Sequence, residues 1–336
     1  MARRIGRYTI GLDQNAAVKG YASVVGKKEG EGPLAKEFDY ISEDTTFGEK
    51  TWEKSESRMQ KDALTRALDK AGIPAKAVEL ICAGDLLNQC IGTSYGLREF
   101  DIPLLGLYGA CSTMAESLVL ASIFLESGAV SVAAALTSSH FCSAERQYRY
   151  PLEYGGQRTP TSQWTVTGAG AVILAKDGGG PVIREVTVGK ICDLGIRDIN
   201  NMGAAMAPAA AETIAAFFTD TGQQPEAFDL IATGDLGLVG HSLLRELLSR
   251  KGLTFDRRLT DCGLMIFDRE RQDVHAGASG CGCSASVLCS YILNHMSSGE
   301  LKNVLLVSTG ALMSPTSMQQ GESIPSIAHL VHFSAP

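Results

Sequence analysis

Ala227-Phe228-Asp229-Leu230-Ile231-Ala232-Thr233-Gly234-Asp235 is a short apolar run that ends in Gly-Asp. It has a counterpart early in the chain, Ala77-Val78-Glu79-Leu80-Ile81-Cys82-Ala83-Gly84-Asp85. Each is preceded by a segment of helical period and a break: Lys61 to Leu68 with Gly72 and Pro74, and Ala211 to Phe218 with Gly222 and Pro225. A short apolar run bounded by turn residues and alternating with helices reads as a strand buried on both faces of a parallel sheet. The order helix, break, buried strand, Gly-Asp occurs twice, so the chain reads as two copies of one pattern.

A second pair of segments extends the repeat. Ser117 to Leu125 is nearly all apolar, ends at Gly128 and precedes the strand-like Val130 to Leu136. Ser286 to Met296 is similarly apolar, ends at Gly299 and precedes Val304 to Val307. A helix that is apolar on all sides is a buried helix. The expected architecture is therefore α/β, with two duplicated βα halves, each a mainly parallel sheet with a buried central helix. Asp177-Gly178-Gly179-Gly180-Pro181 reads as the joint. This gives a first half over 1–177, with an insertion at 138–163, and a second half over 181–336.

Composition narrows the function. The chain has 336 residues, 45% hydrophobic and 20% charged, with net charge −7. There is no basic stripe, which argues against a nucleic-acid partner. The start, Met1-Ala2-Arg3-Arg4-Ile5-Gly6-Arg7, lacks the apolar core of a signal peptide. No uninterrupted apolar stretch reaches about 18 residues, so no membrane-spanning helix is expected. The cysteines at 82, 90, 111, 142, 192, 262, 281, 283 and 289 are odd in number and scattered, as in a reduced, intracellular protein. Cys281-Gly282-Cys283 is too close-spaced for a zinc knuckle and has no second pair, so no metal site and no cofactor are expected.

The chemistry converges on the starts of the two buried helices. Gly109-Ala110-Cys111-Ser112 places a thiol at one of them, where free backbone N–H groups and the helix dipole favour anions. The other follows His275-Ala276-Gly277-Ala278-Ser279-Gly280-Cys281, a glycine-rich turn that carries a histidine toward a ligand. A cysteine and a histidine at facing helix starts would suit covalent acyl transfer, with Cys111 as nucleophile and His275 as its partner. Asp85 and Asp235 read first as caps of the element that follows each, and Asp235 keeps a functional weight through its loop.

These features resemble the thiolase and ketoacyl synthase superfamily, whose fold is a thiolase-like duplication of this kind. Cys111 falls on the acyl-accepting cysteine, and His275 to Gly280 is similar to that superfamily's late His-Pro-Leu-Gly-Ala-Ser-Gly turn. The superfamily's further histidine is replaced at Thr233-Gly234, and its asparagine stretch reads Gly280-Cys281-Gly282-Cys283. A narrower resemblance, carried by Gly11-Leu12-Asp13, Gln163 to Ala171 and Leu305 to Pro315, is to the stage V sporulation protein AD family. That family implies a sporulation protein without catalytic activity. It binds pyridine-2,6-dicarboxylic acid (dipicolinic acid), free or as its calcium chelate, and works with membrane subunits of a spore channel. Uptake in sporulation, release in germination and a peripheral place at the inner spore membrane follow from the resemblance, as does a homodimer by analogy. The implied ligand-binding residues are Cys111, Ser112 and His140 in the first half. In the second they are Thr233, Asp235, His275, Ser279 and Cys281. Arg146, Arg149 and Arg158, interleaved with Tyr148, Tyr150 and Tyr154 in the insertion, could supply carboxylate forks and stacking rings. The alternative is an acyltransferase or condensing enzyme that uses Cys111.

Overall fold

A computed structural model describes residues 2–13, 16–148 and 157–336. The first half contributes strands β1 (Ala17–Val25), β2 (Leu80–Gly84), β3 (Leu104–Leu107), β4 (Val132–Ser139) and β5 (Gly168–Ala175). The second contributes β6 (Val182–Thr187), β7 (Leu230–Thr233), β8 (Leu259–Asp261), β9 (Asn303–Ala311) and β10 (Ser326–Ser334). They lie in the order β8-β7-β9-β10-β6-β1-β5-β4-β2-β3. Outward from the centre, each half repeats one order, so the duplication holds at the level of topology. Within each half, three strands run parallel (β3, β2 and β4; β8, β7 and β9), and the strand next to them is antiparallel on both sides. The sheet is thus mixed: β5 and β10 are each reversed within their own half, and the two halves meet antiparallel where β6 pairs with β1.

The main helices are α1 (Trp52–Ala71), α2 (Thr113–Ser127), α3 (Phe141–Tyr148), α4 (Met202–Thr221), α5 (Gly237–Arg250) and α6 (Cys281–Val287). The helical chain of α6 continues through Leu293–Ser297. Strand alternation divides the interior into layers. Leu80, Cys82, Ala133 and Ala135 of the first half, with Leu230, Ala232, Val304 and Leu306 of the second, join one core with α2 and α6. The intervening Ile81, Ala83, Ala134 and Leu136 pack under α1, while Ile231, Leu305 and Val307 pack under α4. The result is five layers, with α2 and α6 side by side between two half-sheets. Leu118, Met114 and Leu125 on α2 are fully buried. Residues 110–127 are long and apolar enough to cross a membrane, a property that a search for an uninterrupted apolar run misses. Here that stretch lies mostly inside the protein, where the sandwich between two sheets accounts for its composition.

Candidate functional site

Cys111 lies in a tight turn, Ala110–Ser112, that leads into α2. Ala110 adopts φ +52°, a left-handed conformation that costs a non-glycine residue energy and recurs where a side chain must be aimed. The turn is pressed against β9: a Cβ on Gly310 would stand 2.5 Å from the Gly109 carbonyl. The Ser112 hydroxyl turns back to that carbonyl at 2.7 Å, so it holds the turn.

Opposite stands the start of α6. Gly280 takes φ +99°, and a side chain there would strike Ser139 Oγ at 2.6 Å, so glycine is required. The backbone N–H of Gly280 donates to Asp235 Oδ2 at 2.9 Å, Ser279 Oγ to the same oxygen at 3.2 Å, and Thr309 Oγ1 to Oδ1 at 2.8 Å. The Cys111 thiol faces this carboxylate. Asp235 is completely buried, and burial raises its carboxyl to about 6 despite these donors. Burial, and then the Asp235 charge, hold the Cys111 thiol well above its ordinary value. Asp235 thus occupies the anion position at the second helix start, and the thiol facing it keeps its proton.

The repeat explains how Asp235 is free for this. Its counterpart Asp85 closes its own loop, accepting from Leu87 N at 2.8 Å, Thr93 N at 2.7 Å and Thr93 Oγ1 at 2.6 Å. In the second half Asp261, brought from β8, does that work. It accepts from Leu236 N at 2.8 Å, Gly237 N at 3.0 Å and Thr233 Oγ1 at 2.6 Å.

A pocket opens above Cys111, lined by Leu86, Ala110, Ala144, Glu145, Tyr148, Thr165, Met202, Ser279, Ala311 and Met313, with a cavity volume near 50 Å³. That holds one or two water molecules, so anything larger extends across the mouth. There the Tyr148 hydroxyl bonds the Leu86 carbonyl and meets the Tyr108 hydroxyl at 3.0 Å. No lysine or arginine lines the pocket among the described residues.

The structure therefore gathers Cys111, Asp235 and Ser279, with Cys281 packed beside Cys111 in a small apolar cluster. The Cys281 thiol bonds the Ser138 carbonyl at 2.8 Å. Three expected residues lie apart from this group. Thr233 bonds Asp261 behind the strand end. His140 is buried, neutral by desolvation, with Nε2 on the Thr45 carbonyl at 2.8 Å and Nδ1 accepting from Cys142 N at 3.2 Å. His275 sits at φ +49° and turns to Asp273, 3.4 Å away, outside the pocket lining. Of the insertion, Tyr148 reaches the mouth. Arg146 pairs with Glu53 over Trp52, Arg158 lies beside Asp273, and Arg149, Tyr150 and Tyr154 fall outside the described residues. Sequence reasoning missed Thr309 and Gln163, whose Nε2 donates to the carbonyls of Asp235 at 2.7 Å and Ala278 at 2.6 Å. Both stand in segments already singled out, Gln163 in Gln163 to Ala171 and Thr309 in Leu305 to Pro315.

A cysteine at a buried helix start, facing the second helix start of a duplicated five-layer sandwich, defines a thiolase-like protein. Solved structures agree on the fold. The 3-oxoacyl-[acyl-carrier-protein] synthase III of Aquifex aeolicus VF5 aligns at TM-score 0.57 and 13% identity, over 95% of this chain and 99% of that one. OleA of Xanthomonas campestris aligns at 0.59 and 14%, over 96% and 99%. The family model for stage V sporulation protein AD matches residues 6–334, and the chain belongs to that family. The stage V sporulation protein AD of Bacillus subtilis (strain 168) is 43% identical over 328 residues, 98% of this chain and 97% of that protein.

Proposed function

We propose that this sporulation-stage V protein is a binding protein for dipicolinic acid that has kept the shape of an acyl-transfer site and given up its chemistry. The observation that carries this reading is the Cys111–Asp235 pair. A nucleophilic thiol needs a neighbour that takes its proton and then stabilises the thiolate, as an imidazole does on becoming imidazolium. A carboxylate does the reverse. The alternative, an acyltransferase built on Cys111, also lacks its histidine, because His275 points elsewhere.

The charge of the site selects the form of the ligand. One helix start is already filled by Asp235, so a ligand carboxylate has the Cys111 helix start to itself and meets a negative neighbour. The calcium chelate, whose metal cancels the two ligand carboxylates, suits this pocket better than the free dianion. Its ring would lie across the mouth against Tyr148 and Met313. The protein works with membrane subunits of the same spore channel at the inner spore membrane, in uptake during sporulation and release during germination. It pairs as a homodimer through β3, the terminal strand of the sheet, which presents Leu104 and Leu105 with Tyr108 to solvent. An open apolar edge of this kind invites a partner strand.

Calorimetry tests the binding. Saturable heat with dipicolinate, stronger when calcium is present and weakened by Cys111→Trp, is the expected result. No heat in either condition, or a stable thioester on Cys111 after incubation with acyl-CoA, would overturn the reading.

A further inference from the structure

His275 and Arg158, two residues that the pocket does not use, meet in a separate cluster. Trp164 stacks on Phe141 with ring centroids 3.8 Å apart and planes 9° from parallel. Two cations also stand over the Trp164 ring, Lys28 Nζ at 4.0 Å and Arg158 at 4.5 Å from its centroid. Since Phe141 covers one face, the two share the other. Each gains from the ring, but they repel one another, and the chain holds them together. The Gln272 side chain bonds the Lys28 carbonyl at 2.7 Å, and Arg158 Nη2 is tied to the Asp273 carbonyl at 2.8 Å and carboxylate at 3.0 Å.

Their counter-charge is thin. Asp273 is largely exposed and shared with His275, while Lys28 makes no ion pair within 4 Å among the described residues. Arg158 Nη1 is buried without a hydrogen-bond partner, an uncommon and costly state for a charged donor. Burial, and then Arg158, press the Lys28 ammonium below its ordinary value, although Asp273, Glu29 and Glu31 pull the other way. One more acceptor between the two cations would relieve both strains. Trp164 and Thr165 are consecutive on a short strand, so their side chains leave on opposite sides. Thr165 lines the Cys111 pocket, which puts the Trp164 platform on the other side.

We infer that Lys28 and Arg158, over the face of Trp164 that Phe141 leaves uncovered, form a second site for a small oxyanion carrying a carboxylate or phosphate group. Arg158 offers Nη1 as a charged hydrogen-bond donor, Lys28 a point charge, and Trp164 a flat apolar floor.

The chain has two tryptophans, Trp52 and Trp164, so Trp52→Phe leaves Trp164 as sole reporter. Inorganic phosphate and, separately, malonate are titrated at constant ionic strength set with chloride, and Trp164 emission is read. A saturable change is expected with at least one probe, roughly tenfold weaker in Arg158→Gln and in Lys28→Gln, and kept in Cys111→Ala. The tighter probe names the group that the site takes. Circular dichroism checks that each variant is folded. A linear response or none, an affinity in both charge variants unchanged from the parent, or a response lost with Cys111 instead of Arg158 would each overturn the site.

Discussion

The Cys111 thiol is held in its protonated form by burial and by the carboxylate it faces. Removing that charge should release it. In Asp235→Asn the pH midpoint for alkylation of Cys111 by iodoacetamide, followed by mass spectrometry, is expected to fall relative to the parent. An unchanged midpoint would show that burial alone sets the thiol. Buried carboxyls also shape the stability profile. Glu29 is raised to about 7, Glu56 to about 8, Asp235 to about 6 and Asp261 to about 7, in every case chiefly by burial. A raised carboxyl binds its proton more tightly in the folded chain than in the unfolded one. Its stabilising contribution is complete below about pH 4 and is lost as pH rises through 6 to 8, a tenfold tighter hold on the proton being worth about 1.4 kcal/mol. Melting temperature should therefore drop between pH 5 and pH 8, and drop less in Asp235→Asn. A profile that rises over this range would contradict the upward shift that burial gives these groups.

The elements that build the site are the starts of α2 and α6. Leu118 is fully buried midway along α2, in a core that draws on both half-sheets. Leu118→Ala should cost about 3 kcal/mol in chemical denaturation, since neither sheet can collapse into the space. At the head of α6, Gly280→Ala meets both a positive φ and the Ser139 hydroxyl, and should lower stability by about 2 kcal/mol while disturbing the Gly280 bond to Asp235. Loss well under 1 kcal/mol in either variant would mean that these positions yield more than their packing implies. Both helices were legible as apolar stretches ended by glycine, because composition and stop signals are local. Their partnership was not, because no local pattern says that helices so far apart in the chain lie side by side. The reversed strands β5 and β10 were equally hidden. An all-apolar strand such as Gly168–Ala175 reads the same whichever way it runs.

For the molecule as a whole, the exposed edge at β3 makes oligomeric state the observable. Leu105→Lys places a charge on that edge without touching the core, and should convert the proposed dimer into a monomer by light scattering while leaving the melting temperature within a few degrees. A parent chain that is already monomeric would remove the pairing. The duplication itself was readable from residues, since helix, break, buried strand and Gly-Asp recur in order and both copies rest on short-range rules of period and turn chemistry. The same rules placed Cys111 at a helix start. They could not say which Gly-Asp faces it. Gly84-Asp85 and Gly234-Asp235 are identical in sequence, and what separates them is Asp261, delivered from β8 to cap the second loop and leave Asp235 to the thiol. Nor could they turn His275 outward onto Asp273. Local order decides which elements form, whereas hydrogen-bond partners and the charge facing a thiol depend on which distant residues the packed layers bring within 3 Å or so of one another, and only the tertiary structure sets that.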